Sequence, residues 1–334
     1  MPKKLIADRF PPFYTVPHTI RLTSPSEKQT MHRRDLLRAA AGSAAVLGLS
    51  RFPLGWCAGE DAPKRRILMF TRSVEFQHPV VQRKKGELSL AEKIVTDLGK
   101  QHNFQVECTK DGRVFNNDLS KYDAFLFETQ GNLMSEKCLD GSPPMTADGK
   151  KALLDAIAGG KGFVGSHCAS DTFHSKGHAK NRYQNLPREE VDPYLRMVGG
   201  EFISHGDQQE GWMRMVDSAF PGAKGIEDFK IKEEWYSLKN FAPDLHVILV
   251  QDTAGMKNLD YERPKFPATW ARMHEKGRVF YTSMGHREDV WENKTFQQLL
   301  LGGIAWATGN AKAEVPGNLE KVAPHASELP KPKK

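Results

Sequence analysis

Short apolar runs alternate with stretches of helical periodicity between residues 65 and 167. Four runs bounded by polar residues predict buried strands: RRILMFTRS (65–73), FQVECTK (104–110), KYDAFLFET (121–129) and GFVGSH (162–167). Apolar residues recur at helical spacing from Leu90 to Leu98, which predicts a helix that ends near Asn103. A second helix is predicted over 146–160, where a Thr or Asp caps the start and two glycines end it. This alternation predicts an α/β fold, with a parallel sheet covered by helices on both faces.

The second half of the chain has a polar insertion followed by short strand-like runs. Residues 170–196 are polar and contain Gly177, Pro187 and Pro193, which predicts a loop-like insertion. Strand-like runs follow at EFISHG (201–206), GWMRMVD (211–217), EEWYSL (233–238) and HVILVQDT (246–253). Residues 267–286 predict two strands joined at 275–277. The run 296–310 predicts a helix that ends near Gly309, and the Pro-, Lys- and Glu-rich segment 311–334 predicts a disordered tail.

The first 62 residues have the pattern of an export signal. A twin-arginine pair at 33–34 precedes an apolar run over 36–49 that is rich in small residues, as in Tat signal peptides. This run is shorter than the ~20 residues of a membrane span and is interrupted by Arg38. We therefore expect translation to start at Met31 and the mature protein to be exported, to the periplasm or beyond, without stable membrane insertion. A buried helix and an uncleaved anchor are the alternatives.

The positive charge is concentrated in this N-terminal segment. Of the net +7, a surplus of six comes from residues 1–58, with nine Lys and Arg against three Asp and Glu. The remainder is nearly neutral, so the basic pI gives no indication of nucleic-acid binding. The cysteines at 108, 138 and 168 lack CxxC spacing, which excludes a disulfide scaffold but leaves a single pair such as Cys108 with Cys138 open.

Three predicted strands are each followed by a histidine: His167, His205 and His286. Because the carboxyl ends of neighbouring parallel strands lie at one edge of a sheet, we expect these rings to converge there. Nearby carboxylates at Asp171, Glu233 or Glu234 would complete a set suited to zinc or a similar divalent ion. The same groups can perform acid–base catalysis near neutral pH. The plain alternatives are hydrogen-bonded loop histidines, a turn cap at Asp171 and solvated glutamates.

Nucleophilic catalysis has weaker support in the same stretch. Cys168 adjoins His167, but neighbours on an extended segment point to opposite sides, so adjacency does not make a dyad. Ser166 lies in a GSHCA sequence that lacks the final glycine of a G-x-S-x-G turn. Aromatic residues of the second half could instead stack on the apolar faces of a sugar, although most aromatic residues belong to a core. The candidates are Trp235, Tyr236, Trp270 and Tyr281.

Several blocks in order resemble the ThuA-like (trehalose utilisation) family of the class I glutamine amidotransferase-like fold, over about residues 65–309. The blocks are GFVGSHCASDTF (162–173), VGGEFISHG (198–206), EEWYSL (233–238), PATWARMHEKGRVFYTSMGH (267–286) and FQQLLLGGIAWATG (296–309). The positions that match the family pattern are His167, Asp171-Thr172-Phe173, Gly199, Gly200, Phe202, His205, Glu234, Trp235, Tyr236, Gly277, Arg278, Tyr281, Gly285 and His286. One block departs from the family, since Phe220-Pro221 stands where many members have His-Pro.

The resemblance implies a flavodoxin-like doubly wound domain over 63–310, tied to the use of sugars and keto-sugars. Amidotransferases place their catalytic cysteine where this chain has His167, so glutamine hydrolysis is not expected. We therefore predict an exported enzyme acting on a sugar or keto-sugar, with a non-catalytic carbohydrate-binding module as the alternative and oligomerisation open. The predicted catalytic residues are His167, Asp171, Glu234 and His286. The predicted substrate contacts are His205, Trp235, Tyr236, Trp270 and Tyr281. A divalent metal such as zinc would be bound by His167, His205 and His286.

Overall fold

The structure, a computed structural model, describes residues 64–331. The predicted signal peptide and the start at Met31 lie outside these residues. The strands are β1 (Arg65–Phe70), β2 (Phe104–Thr109), β3 (Ala124–Phe127), β4 (Gly162–Ser166), β5 (Glu201–His205), β6 (Gln209–Met215), β7 (Phe229–Glu233), β8 (Tyr236–Lys239), β9 (His246–Asp252), β10 (Phe266–His274) and β11 (Gly277–Thr282). The α-helices are α1 (Leu90–Gln101), α2 (Ala147–Ala158), α3 (Pro193–Val198), α4 (Glu288–Glu292), α5 (Lys294–Ala307) and α6 (Leu319–Val322).

A sheet of nine strands runs through the described residues in the order β2-β1-β3-β4-β11-β10-β9-β6-β7. The first five strands in this order, β2, β1, β3, β4 and β11, are parallel to one another. The remaining four, β10, β9, β6 and β7, continue the sheet in antiparallel pairs. Strands β5 and β8 form a separate antiparallel pair. The predicted α/β class with one large sheet is confirmed. Strands β10 and β11 are joined by a two-residue turn, 275–276, a connection that antiparallel strands can use and parallel strands cannot.

Helices cover both faces of the parallel strands. Successive side chains of β1 point to opposite faces, so Leu68 and Phe70 join a buried cluster with α2 and α3. Ile67 and Met69 pack instead with α1 and α5. The first helix begins at Ser89 with reciprocal hydrogen bonds between the backbone and side chains of Ser89 and Glu92. Both early helices thus lie where the sequence predicts them, the first from its apolar spacing and the second from its cap and terminal glycines.

The polar insertion is more ordered than its composition suggests. Its end forms α3, in which the Asp192 carboxylate accepts from the Tyr194 N–H at 2.8 Å, and Pro193 occupies the first turn. The helix ends at Gly199, whose φ of 94° lies in the left-handed region that glycine adopts without steric cost. Tyr194 and Leu195 are buried against the sheet. The insertion therefore contributes to the core beside the strand ends.

The segment 311–331 packs onto the body, which corrects the expectation of a disordered tail. It contains α6, and Leu319 and Ala326 are buried. The Arg263 guanidinium donates to the Ala326 carbonyl at 2.5 Å, and Asn318 accepts from the Val247 N–H at 2.7 Å. A few well-placed apolar residues are enough to anchor a segment whose overall composition is polar. Among the described residues, none of the helices has the length and apolarity needed to cross a membrane.

Candidate active site

Three histidines meet at the carboxyl edge of the parallel strands. His167 follows β4, His286 follows β11, and His78 lies in the loop after β1. The ring centroid of His78 is 5.1 Å from that of His167 and 4.9 Å from that of His286. The centroids of His167 and His286 are 5.3 Å apart. All three residues are buried, with exposures of 8 % or less. Strands remote in sequence thus deliver one compact group of imidazoles.

The Glu234 carboxylate lies at the centre of this group. Its Oε2 atom is 3.0 Å from His286 Nδ1 and 3.6 Å from His167 Nε2, and its Oε1 atom is 3.5 Å from His205 Nδ1. The preceding residue, Glu233, is fully buried and accepts from the backbone N–H groups of Gly285 and His286 at 2.9 and 3.1 Å. Glu233 therefore holds the loop that carries His286.

Local backbone geometry fixes the His167 ring. His167 has a φ of 35°, which L-residues rarely adopt, directly after the last residue of β4. Such strained residues concentrate at functional sites. The ring stacks on Tyr236, with centroids 3.9 Å apart, and Nδ1 donates to the Ser283 carbonyl at 3.0 Å. In the neutral ring, this bond leaves the lone pair on Nε2, on the side of Glu234.

Three ring nitrogens of the group are buried without a hydrogen-bond partner: His78 Nδ1, His167 Nε2 and His286 Nδ1. The last of these is close to Glu234, but its direction makes no hydrogen bond. A buried polar atom without a partner costs about 1–3 kcal/mol, so such atoms are uncommon in structural positions. His78, His167, Glu234 and His286 are also one of the sets of side chains whose ligand atoms could hold a metal ion.

The pKa values of His78 and Glu234 are both lowered, which leaves the imidazole neutral and the carboxylate ionised. Burial lowers the pKa of His78 well below its ordinary value, and the neighbouring rings of His167 and His286 lower it further. Burial alone would raise the pKa of Glu234, but the contacts with His167 and His286 outweigh it and bring this pKa below its ordinary value. The site therefore combines an ionised carboxylate with a neutral imidazole.

A family model described as trehalose utilisation (ThuA) matches residues 66–307, most of the chain. The chain belongs to the ThuA family. Membership of this family suggests a role in carbohydrate utilisation. Two solved ThuA-like proteins share its fold. One, from Parabacteroides merdae, has a TM-score of 0.52 at 18% identity and covers 80% of this chain and 97% of its own. The other, from Bacteroides uniformis, has a TM-score of 0.54 at 17% identity and covers 75% and 93%. A search of curated proteins found no match.

The structure of this ThuA-family protein separates the predicted site residues into two groups. His167, Glu234 and His286 lie together, whereas Asp171 points elsewhere. The Asp171 carboxylate accepts from Gln130 at 3.0 Å and contacts His174 Nε2 at 3.0 Å. His205, with 42% of its side chain exposed, lies at the rim, where its Nδ1 atom is 3.5 Å from Glu234 Oε1 and 3.0 Å from the Gly206 carbonyl oxygen. In the metal-competent set, His78 takes the place that the sequence assigned to His205.

The aromatic residues predicted to contact a substrate are enclosed by protein and do not face the opening of this site. Trp235, Trp270 and Tyr281 have no exposed surface, and Tyr236 is 2% exposed beneath the His167 ring. The indole N–H groups of Trp235 and Trp270 donate to backbone carbonyls, and the Tyr281 hydroxyl donates to the His167 carbonyl at 2.7 Å. A ring enclosed by protein cannot stack on a sugar, which corrects the expectation for these residues.

Sequence reasoning missed several residues around the opening. His78 does not directly follow a strand-like run, and its one available signal is its place in the loop after β1. Phe76 is 53% exposed, with its ring centroid 4.9 Å from that of His78. Gln208 contacts His286 Nε2 at 2.9 Å, and Arg287 donates to the Gln208 amide oxygen at 2.5 Å. A cavity of about 290 Å³ opens here, lined by Pro79, Gln208, His286, Arg287, Glu288 and Asp289.

Proposed function

We propose that this ThuA-family protein is an exported enzyme that transfers protons on a sugar or keto-sugar at the cleft around Glu234. One observation carries the proposal: three buried imidazoles converge on one carboxylate and leave ring nitrogens without partners. Polar groups held in this way at a strand edge are typical of sites that do chemistry. A module that only binds sugar has no need of buried reactive groups.

The geometry supports defined roles in such a reaction. Glu234, kept ionised, accepts a proton from a sugar hydroxyl or from a carbon next to a carbonyl group. His205, exposed at the rim and 3.5 Å from Glu234 Oε1, relays a proton back to a neighbouring atom of the sugar, so that the sugar gains one proton for the one it gave up. Gln208 and Arg287 are placed to bind hydroxyl groups, and the exposed ring of Phe76 offers a face for the apolar side of the sugar.

We also infer a flavodoxin-like, doubly wound core. The strand order β2-β1-β3-β4-β11 corresponds to the order of such folds, in which ligands bind beyond the carboxyl ends of the strands. Export through the Tat route to the periplasm rests on the arginine pair at 33–34 and the apolar run after it. The partner proposed is a small carbohydrate, not a nucleic acid or a membrane.

Turnover by the purified protein tests the proposal. The protein is incubated with a panel of disaccharides and their keto forms, and products are identified by mass spectrometry. We expect Glu234→Gln and His205→Asn each to lower kcat by about 10²- to 10⁴-fold, the usual loss for an acid–base group, with unchanged melting temperature. His325→Asn, an exposed tail histidine, is the matched control and keeps full activity. Sugar binding by calorimetry without any product across the panel would contradict the proposal and identify a binding module.

A further inference from the structure

We propose that His78, His167, Glu234 and His286 bind one divalent transition-metal ion, with zinc as the best-suited ion. Each residue offers one ligand atom, and the four atoms lie within 4.8 Å of one another. Ligands at about 2.0–2.1 Å in a tetrahedron around zinc are roughly 3.4 Å apart. The separations of Glu234 Oε2 from His286 and His167, 3.0 and 3.6 Å, are already at this spacing. A small rotation of side chains therefore closes the set around an ion.

The unpartnered nitrogens are the main argument for a metal ligand set. His78 Nδ1, His167 Nε2 and His286 Nδ1 are buried, directed into the same space and without a hydrogen-bond partner. Hydrogen-bonded loop histidines would have used these atoms. A single cation with three imidazoles and one carboxylate satisfies all of them at once, and these are the ligand types that zinc prefers.

The surrounding contacts orient the ligands as outer groups do in known metal sites. The Nδ1–H group of His167 donates to the Ser283 carbonyl, which directs Nε2 inwards. Glu233 holds the backbone at His286 through two hydrogen bonds. Gln208 Nε2 lies 2.9 Å from His286 Nε2, and the Gln208 amide oxygen accepts from Arg287. Ligation by His286 Nδ1 places the proton on Nε2, so the Gln208 amide must turn over and give up the bond from Arg287 when the ion binds.

In the other candidate sets among residues 64–331, the carboxylate is already engaged by hydrogen bonds. In the set of His174, His178 and Glu201, the carboxylate accepts from Ser175, His178 and Asn240. In the set of His78, Glu128 and Cys168, the thiol donates to the carboxyl at 3.2 Å. These hydrogen bonds satisfy the carboxylates and the thiol without an ion, and each set has one unpartnered ring nitrogen, His174 Nδ1 or His78 Nδ1, against three around Glu234.

The inference deepens the proposed function and rests on it for the substrate class. A bound ion at this place polarises a carbonyl or hydroxyl oxygen of the sugar as a Lewis acid. Glu234 would bind the ion through Oε2, which leaves its Oε1 atom, 3.5 Å from His205 Nδ1, to take the proton, and His205 is outside the set. Metal binding itself is measured without any sugar, which separates the two proposals.

Zinc binding by the purified protein provides the test. The protein is stripped with a chelator, and its affinity for zinc is measured by competition with a chromophoric chelator, with the stoichiometry from elemental analysis. We expect one zinc per chain and the visible spectrum of a four-coordinate site after loading with Co²⁺. His78→Ala and Glu234→Gln are expected to lower affinity at least 100-fold, whereas His205→Ala and His325→Ala stay within about threefold. Because a ligand variant can also misfold, the melting temperature of each stripped protein is measured. His78→Gln serves as a second variant at the same position.

Two results overturn the metal centre. One is a folded wild-type protein that retains no zinc at micromolar concentration, and the other is equal affinity in the wild type and in folded His78→Ala and His78→Gln. Sugar turnover that survives complete removal of metal contradicts the Lewis-acid role of the ion while leaving the proposed function intact. Zinc bound with the expected mutational pattern supports the metal centre even where no sugar is turned over, an outcome that counts against the proposed function alone.

Discussion

At the scale of single residues, the turn after β4 shows why Ser166 and Cys168 do not act as nucleophiles. Both donate hydrogen bonds to Glu128, which has no exposed surface. Burial raises the pKa of Glu128 well above its ordinary value, and the bonds from Ser166 and Cys168 offset this only in part. Burial is also the main cause that raises the pKa of the Cys168 thiol, and the nearby Glu128 raises it further. A thiol that stays protonated and enclosed is inert, so these residues shape the turn that presents His167.

Chemical labelling and mutation of Cys168 check this assignment. We expect iodoacetamide to leave Cys168 unmodified in the native protein and to modify it after denaturation, as read by peptide mass spectrometry. Partly exposed Cys138 is the internal control for the reagent. Cys168→Ala should keep sugar turnover within about twofold and lower the free energy of unfolding by about 1 kcal/mol. Loss of activity through modification of native Cys168 would show instead that the sulfur reacts.

At the scale of elements, Glu201 ties the insertion to the small β5–β8 sheet. This buried carboxylate at the start of β5 accepts from the backbone and side chain of Ser175 at 3.1 and 2.7 Å. It also contacts His178 at 3.0 Å and accepts from Asn240 at 2.7 Å. Burial acts to raise the pKa of Glu201, but the bonds from His178 and Ser175 outweigh it and lower this pKa to about 2. One side chain thus joins three segments next to the site.

The stability of Glu201→Gln should depend on pH in a defined way. We expect the variant to lose about 2 kcal/mol of unfolding free energy at pH 7, since bonds to a charged group are broken. The unfolded carboxyl titrates near its ordinary value of 4.5 and the folded one near 2, so the wild-type advantage is present above pH 4.5 and fades towards pH 2.

Urea denaturation at pH 7, 4.5 and 3 measures this difference. Glu210→Gln removes an exposed ion pair with Lys230 and is the matched control, with an expected change below about 0.5 kcal/mol at every pH. A deficit in Glu201→Gln that stays constant down to pH 3 would show that the charge of the carboxylate is not what stabilises the fold.

At the scale of the whole molecule, the described residues after the family match complete the core. The match ends at residue 307, yet Leu319, Ala323 and Ala326 are buried in the cluster formed with α2 and α3. His246 contacts the Pro316 carbonyl through Nδ1 at 2.9 Å. Burial lowers the pKa of Arg263 to about 9, and its guanidinium donates to the Ala326 carbonyl. The segment therefore works as part of the domain.

Shortening the chain tests this contribution. We expect Leu319→Ala to lower the free energy of unfolding by about 2–3 kcal/mol, as for other buried leucines, and a chain that ends at Asn310 to lose more. Lys321→Ala, on the exposed side of α6, is the control and should change stability by less than about 0.5 kcal/mol. Urea transitions monitored by tryptophan fluorescence give the values. Coincident transitions for the shortened and complete chains would show that the segment adds no stability.

The sequence by itself determined the alternation of early strands and helices, the family, and the position of His167 and His286 after strands. These features depend on periodicity, capping and short motifs, which act within a few residues. Only the tertiary structure decided that His78 joins them while His205 stays at the rim, that Trp235 and Trp270 are enclosed, and that residues 311–331 pack. The physical reason is that such outcomes depend on how loops from strands far apart in sequence meet, and local patterning carries no information about that meeting.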